Sequence, residues 1–393
     1  MTVANWGWWI AGVFSALVLL ELLRLDLLLF RALSVEPKLT DVPPPIERKN
    51  GSLVSIIVPA KNEESFITAC VKAILHATYQ NIEIILVNDR STDRTGDLMA
   101  DLARDDVRIK IVTITERPGG WTGKTYALYR GVKESKGDLL LFTDADAVMQ
   151  PDTISRAVTF LEGHRLEMLS LLPGFSRRGF AEDVAFMHMA IGIQLFFPLP
   201  EVNNPSKPVS LAAGCFMLMR RAAYERIGTW ERVRSELTED VALSRVLKTS
   251  GARIMTLRGS SFIQTRPFHS VWESCSFWKR TYYGALEKDP RKLVQLAGKY
   301  LALCVTWVLF GLSTIAVTGE TPLTPAYILF ALTGLSASAI TVSTAVLLKQ
   351  ERGNAWYATL SVVGIFLTTY VAFDTLVTVL GDHGIKWRGS VYR

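Results

Sequence analysis

Four stretches of this chain carry no charged side chain at all: Met1–Leu20, Tyr300–Gly319, Thr321–Leu348 and Asn354–Phe373. A helix of about 20 apolar residues is what the hydrocarbon core of a bilayer demands, because it alone satisfies its backbone polar groups internally. The sequence therefore predicts an N-terminal membrane anchor over 1–31 and a C-terminal membrane region of about three helices over 296–381. Of the 393 residues, 49% are hydrophobic and only 20% charged, which fits. No basic segment precedes the first apolar run and no small-residue cleavage site follows it. Its pattern also continues past Glu21, Arg24 and Asp26 to Leu29 and Phe30, so a retained anchor is expected rather than a cleaved leader.

The net charge of +6 comes without a dense Lys/Arg run. In a membrane chain this marks a cytoplasmic, lipid-facing side, and no nucleic-acid partner is expected. The four cysteines, Cys70, Cys215, Cys275 and Cys304, are scattered and form no metal or disulfide spacing. The chain ends in a basic tail over 382–393.

Between the apolar runs lies a stretch of different character. A proline- and charge-rich linker over 32–50 leads into a domain expected over 51–290. There "LVSIIVPA" (53–60), "IEIILVND" (82–89), "RIKIVTI" (108–114) and "DLLLFTDAD" (138–146) read as strands. Segments 63–77, 91–104 and 122–135 read as helices between them, with Ser91 as an N-cap. Alternation at this interval predicts an α/β domain with a mainly parallel sheet and helices on both faces. Ligands of such sheets bind beyond the carboxyl ends of the strands. Three strands end in Lys61-Asn62-Glu63, Asn88-Asp89 and Asp144-Ala145-Asp146, so these carboxylates converge on one edge.

Clustered carboxylates repel one another unless cations or donors offset them. Mg²⁺ or Mn²⁺, shared with substrate phosphates, would do so. "PGGWTGKTYAL" (118–128) lacks the spacing of a P-loop, yet Lys124 at a helix start can pair with a phosphate. In "SELTEDVALSRVLKTSG" (235–251), Glu239 and Asp240 open a helix whose Val241, Leu243, Val246 and Leu247 face a core. Acids there suit the helix dipole, and a carboxylate near a bound donor can also serve as general base. "VAFMHMAIGIQLFFPL" (184–199) is too short to span and is read as an interfacial helix.

"IIVPAKNEE", "ILVNDRSTDRTGD", "GKTYALYRGV", "LLLFTDADAVMQPD" and "LTEDVALSRVL", in that order over about residues 53 to 260, resemble the motifs of family 2 glycosyltransferases. The flanking membrane segments make the chain similar to the integral-membrane, lipid-glycosylating branch, which includes hopanoid- and carotenoid-associated enzymes and ceramide glucosyltransferases. The resemblance implies a nucleotide-diphospho-sugar transferase (GT-A-like) domain flanked by transmembrane helices. It implies inverting, metal-dependent transfer of a sugar to a membrane lipid hydroxyl. Pro59, Glu63, Asp89, Lys124 and Asp144 would bind the nucleotide sugar, expected to be a UDP-sugar. Asp144 and Asp146 would hold Mg²⁺ or Mn²⁺, and Asp240 would be the catalytic base. Gly214, Glu239, Trp278 and Arg280 would lie on the acceptor side. Two departures stand out: "ESCSFWKRTYYGAL" (273–286) lacks the Q-x-x-R-W motif of processive members, and the tail reads "GSVY" where "GRxY" is usual.

Two other classes compete. "FTDADAV" also fits the nucleophile motif of haloacid-dehalogenase-type phosphatases, although three strand–helix units precede it here. A catalytically inactive transferase-like scaffold is the other. Because nucleotide sugars are cytoplasmic, the catalytic domain is expected there, in a multi-pass protein of the cell membrane. "KQERGN" (349–354) is then inside and "TGETPLTP" (318–325) outside. Three C-terminal spans would carry the basic tail outside, against its charge. Asp374 makes 354–381 the segment suspected of not crossing.

Overall fold

The computed structural model describes residues 3–35, 37–42, 51–176, 178–319, 324–387 and 390–392. Linker residues 43–50, loop residues 320–323 and tail residues Arg388, Gly389 and Arg393 lie outside the described residues. The chain divides into two compact units: Glu36–Arg177 with Phe197–Pro267, and Met1–Val35 with Arg178–Phe196 and Phe268–Arg393. Two segments within the expected 51–290 range, Arg178–Phe196 and the stretch from Phe268, thus belong to the second unit.

The described residues of the first unit form ten strands: β1 (Val54–Ala60), β2 (Ile82–Asp89), β3 (Ile109–Ile114), β4 (Leu139–Phe142), β5 (Val148–Met149), β6 (Met168–Leu172), β7 (Gly174–Phe175), β8 (Met217–Arg220), β9 (Ile254–Arg258) and β10 (Ile263–Thr265). Seven form one sheet in the order β3-β2-β1-β4-β8-β6-β9. β1 pairs in parallel with β2 and β4, and β2 with β3. β8 runs antiparallel to both its neighbours, and β6 and β9 are parallel. β5, β10 and β7 make a second, three-stranded sheet. The expected α/β architecture with a mainly parallel sheet is therefore present.

The central strands are apolar along their length because both faces are covered. Alternate residues go to opposite sides. Ile56 and Val58 join Ile84, Leu86 and Leu141 over the helix Ile67–Leu75. Ile57 joins Ile85, Val87, Leu140 and Phe142 over the helix Gly123–Lys133. Behind the latter face Trp230 is fully buried, edge-on to Phe142 with centroids 5.1 Å apart.

Two local readings are corrected. β4 ends at Phe142, and Asp144–Ala147 form a turn in which the Ala147 N–H donates to the Asp144 carbonyl (3.2 Å). Ser91 is no N-cap: the helix is Thr95–Asp105, and Asp93 accepts from the Thr95 N–H (3.0 Å). Ser91 instead accepts from the Asn62 N–H (3.1 Å), and Asn62 accepts from the Thr92 N–H (2.8 Å). The loops after β1 and β2 are thereby tied together, with Asn62 and Arg90 held at positive φ.

Gly137, just before β4, shows how tightly the sheet's other edge is packed. It donates to Ser55 Oγ (2.8 Å), and an added Cβ would fall 2.5 Å from the Leu53 carbonyl and 2.8 Å from the Ser55 nitrogen. Both obstacles at that point are backbone. Gly137→Ala is expected to destabilise the chain by about 1–3 kcal/mol, seen as a lower Tm of the purified protein.

Among the described residues of the second unit, three helices are long and apolar enough to cross a membrane: Pro290–Thr318, Thr324–Gln350 and, with its 3₁₀ lead-in, Ala355–Leu380. The N-terminal segment forms one helix, Val3–Val35, which is not among the three. Segment 184–199, read as interfacial, is a π-helical turn (Ala181–Phe186) running into the helix Met187–Gln194. Its Val184, Ala185, Met187, His188, Met189 and Ile193 are buried, so most of its surface is packed within this unit. The chain closes on a hairpin of β11 (Ile385–Trp387) and β12 (Ser390–Tyr392).

Candidate active site

β4 positions the Asp144–Asp146 turn, and its neighbours decide what meets it. β8 is antiparallel to β4, with Met217 opposite Phe142. The residues entering β8 therefore reach the edge where β4 exits. Thr143 Oγ donates to the Cys215 carbonyl (2.8 Å), which brings Gly214 to the same edge.

The helix Gly123–Lys133 starts there too, capped by Thr122, whose hydroxyl accepts from the Thr125 N–H (3.1 Å). Lys124, in its first turn, makes two ion pairs. Its Nζ lies 2.7 Å from Asp144 Oδ1 and 2.8 Å from Glu239 Oε1. Burial alone would lower the Lys124 ammonium, but Asp144, Glu239 and Asp240 outweigh it and hold it above the usual range.

Asp240 is fixed at both oxygens. Oδ2 accepts from the Gly214 N–H (2.8 Å) and Oδ1 from the Val241 N–H (2.8 Å). Burial, followed by the neighbouring Glu239 charge, pushes its carboxyl up to about 6, while Lys124 and the two N–H donors oppose the rise. Gly214 is required by space. A Cβ there would sit 2.7 Å from Lys124 Nζ, 3.3 Å from Glu239 Oε1 and 3.4 Å from Asp240 Oδ2. Gly214→Ala is expected to displace all three groups and lower kcat/KM by about 10²-fold, with Tm little changed.

Asp146 faces Arg266, with Nε 3.5 Å from Oδ2. Burial, then the charges of Asp144 and Glu63, push the Asp146 carboxyl up to about 6, and Arg266 and Lys124 pull the other way. Asp89, buried at the end of β2, accepts from Arg90 Nε (2.7 Å) and Nη2 (3.1 Å). A Cβ on Gly123 would fall 2.7 Å from its Oδ2, so the carboxylate abuts the start of the Lys124 helix. Glu63 follows β1, its N–H donating to Thr95 Oγ (2.8 Å), and Pro59 lies within β1 opposite Val87.

The structure thus brings together Lys124, Asp144, Gly214, Glu239 and Asp240, with Asp146 and Glu63 in electrostatic reach. Glu239, expected on the acceptor side, is buried and engaged by Lys124. Trp278 and Arg280 belong to the other unit, on the helix Val271–Ala285. There Trp278 packs against Phe186 (5.1 Å) and Arg280 lies over Phe277 (5.3 Å). Sequence reasoning misses Arg90 and Arg266. Arg90 is adjacent to Asp89, and that adjacency is the signal that could have found it. Arg266 follows β10, and no spacing in the chain links it to Asp146.

Two carboxylates from one turn, hard oxygen donors with an excess of local negative charge, fit a divalent cation that takes its remaining ligands from phosphate and water. Among the described residues no group of three His, Cys, Asp or Glu forms a closed metal cage.

Over 117 residues the chain is 37% identical to the uncharacterized glycosyltransferase EpsJ of Bacillus subtilis (strain 168), covering 30% of this chain and 33% of that protein. It is 23% identical over 267 residues to the 4,4'-diaponeurosporenoate glycosyltransferase of Staphylococcus haemolyticus (strain JCSC1435), covering 66% of this chain and 69% of that protein. The chain thus spans about a third of the length of EpsJ. The solved mannosyltransferase PcManGT from Pyrobaculum calidifontis, in complex with GDP-Man and Mn²⁺, has a TM-score of 0.56 at 18% identity. That likeness covers 95% of this chain and 99% of the other, and it shows the fold. Residues 55–228 match the family described as Glycosyl transferase family 2, so the chain carries a domain of that family.

Proposed function

We propose that this protein transfers a sugar from a nucleotide-diphospho-sugar, with a UDP-sugar as the expected donor, to a hydroxyl of a membrane lipid, inverting the anomeric centre. The observation that carries the reading is Asp240. Its carboxylate is clamped by two backbone N–H groups beside the Lys124–Asp144 pair, at the edge where the sheet ends.

Asp240 takes the proton of the acceptor hydroxyl as the oxygen attacks the anomeric carbon. A base pushed up to about 6 is ionised at neutral pH and still basic enough to be effective. Lys124, at a helix N-terminus, holds donor phosphate. Asp89 and Glu63, with Pro59, contact the nucleoside. Asp144 and Asp146 would hold Mg²⁺ or Mn²⁺, whose charge would stabilise the leaving diphosphate. PcManGT, described with GDP-Man and Mn²⁺, supports a metal and a nucleotide-sugar donor.

The apolar helices and the relative named for 4,4'-diaponeurosporenoate support a lipid acceptor at the cell membrane, with the catalytic domain on the cytoplasmic side. Neither the phosphatase nor the inactive scaffold gains support. The DxD turn follows the fourth strand rather than opening the domain, and its acidic set is complete.

Membranes containing the chain are to be incubated with labelled UDP-sugars and Mn²⁺, and their lipids read by mass spectrometry. Label in a lipid, lost in Asp240→Asn, is expected. No label in any lipid, with wild type and Asp240→Asn indistinguishable, would remove the transferase reading.

A further inference from the structure

Each carboxylate of the Asp144–Asp146 turn is met by a cation of the protein, and the two cations are held differently. Lys124 is pinned from two sides, its Nζ 2.7 Å from Asp144 and 2.8 Å from Glu239. Arg266 Nε stands 3.5 Å from Asp146 Oδ2, with the side chains 26% and 24% exposed. At that distance charge holds the pair more than a hydrogen bond does. It is the looser of the two pairs, and the one an incoming cation can open.

The small sheet sets this meeting. β10 runs antiparallel to β5, with Ile263 opposite Met149 and Gln264 opposite Val148. Continued by two residues, the same register brings Arg266 opposite Asp146. β7 holds β10 on its other side, with Thr265 opposite Phe175, so the backbone that presents Arg266 is fixed. The guanidinium carbon also lies 5.8 Å from the centroid of the Phe66 ring. Phe66 closes a turn after β1, its N–H donating to the Glu63 carbonyl (3.0 Å). Arg266 therefore stands between the loop that carries Glu63 and the turn that carries Asp146. An aromatic face attracts a cation whatever its anionic partner, so Phe66 keeps the guanidinium in place if Asp146 takes another.

A divalent ion at Asp144 and Asp146 has to share Asp146 with this guanidinium. Like charges a few ångströms apart at a half-solvated site oppose one another enough to weaken an affinity by about tenfold. An ion arriving alone meets that repulsion in full. An ion arriving with a diphosphate brings negative charge that offsets it.

We propose that Arg266 is the countercharge of Asp146 in the donor-free protein, competing with the metal for that carboxylate and so reserving the seat for an ion that comes with a nucleoside diphosphate. This rests on the reading of Asp144 and Asp146 as the residues that hold the metal. Arg266 is then a positioning residue that acts through Asp146 and couples metal affinity to the presence of the donor.

The test is Mn²⁺ binding to the full chain in detergent, without nucleotide, read from the loss of the free-ion electron paramagnetic resonance signal. Arg266→Gln is expected to bind Mn²⁺ about tenfold more tightly than wild type. Arg266→Lys keeps the charge and should stay near wild type. Local damage to the fold would not produce a gain of affinity. The titration is then repeated with UDP present. The Mn²⁺–UDP complex that forms in solution is common to both proteins, so the difference between them reads the coupling on the protein. UDP should strengthen Mn²⁺ binding less in Arg266→Gln than in wild type. If Arg266→Gln fails to accumulate, Arg266→Met, which keeps an apolar stem beside Phe66, carries the same expectation. Mn²⁺ binding in the neutral variant that is no tighter than in wild type, or an equal effect of UDP in the two proteins, would overturn the proposal. If wild type binds no Mn²⁺, or Asp146→Asn binds it equally well, the metal reading itself falls and takes this proposal with it. Mn²⁺ held through Asp146 but unmoved by the loss of Arg266 removes the proposal alone.

Discussion

Asp240→Asn is expected to lower kcat by about 10²- to 10⁴-fold while the donor still binds, the range lost when a general base is removed. The substitution keeps the side chain's shape. One of its two contacts, to the Gly214 or the Val241 N–H, loses its acceptor, so the effect on the fold is local. Calorimetric titration with UDP-sugar separates binding from turnover. The wild-type rate should also depend on pH in a definite direction. Asp240 must be ionised to accept a proton, and burial and Glu239 hold its carboxyl up at about 6. kcat/KM, which reports the free enzyme, should therefore be level near neutrality and fall below about pH 6, approaching about tenfold per pH unit. An Asp240→Asn enzyme with wild-type kcat would remove this residue from the chemistry.

Lys124→Met should produce the second large effect, and it should be read in two places. Among the described residues, Lys124 is the only cation paired with both Asp144 and Glu239. Without it those carboxylates and Asp240 share one edge with their repulsion unrelieved. Donor affinity should fall, because the phosphate loses its lysine, and kcat/KM should drop by about 10²-fold. The sign of the pH effect distinguishes this from simple misfolding. Lys124 lowers the Asp240 pKa, so its removal should move the acid limb of the kcat/KM profile to higher pH. Arg in place of Lys124 keeps the charge and should leave that limb near its wild-type position. A Lys124→Met enzyme with an unshifted limb would mean that the lysine serves binding alone.

Much of this site is legible in the order of the residues alone. The alternation of β-branched runs with helical spacing implies a parallel sheet, because each period buries one kind of face. A parallel sheet sends its strand ends to one edge, so Glu63, Asp89 and the Asp144–Asp146 pair have to converge. The Asp240 helix is legible from its own capping acids and apolar stripe. Arg266 is not, because it reaches Asp146 through the second sheet, whose strands of two or three residues leave almost no pattern. The surroundings of Glu239 are hidden for a related reason. Its neighbour in sequence is Asp240, but its partner is Lys124, far away along the chain and brought near by packing.

The sequence by itself determined the class of fold, the sheet edge on which these side chains meet and the acidic residues at that edge, since all three follow from periodicity along the chain. Tertiary structure alone decided which charge meets which. β8 enters the sheet antiparallel between β4 and β6, and only that reversal carries Gly214 to the Asp144 turn and sets its N–H on Asp240.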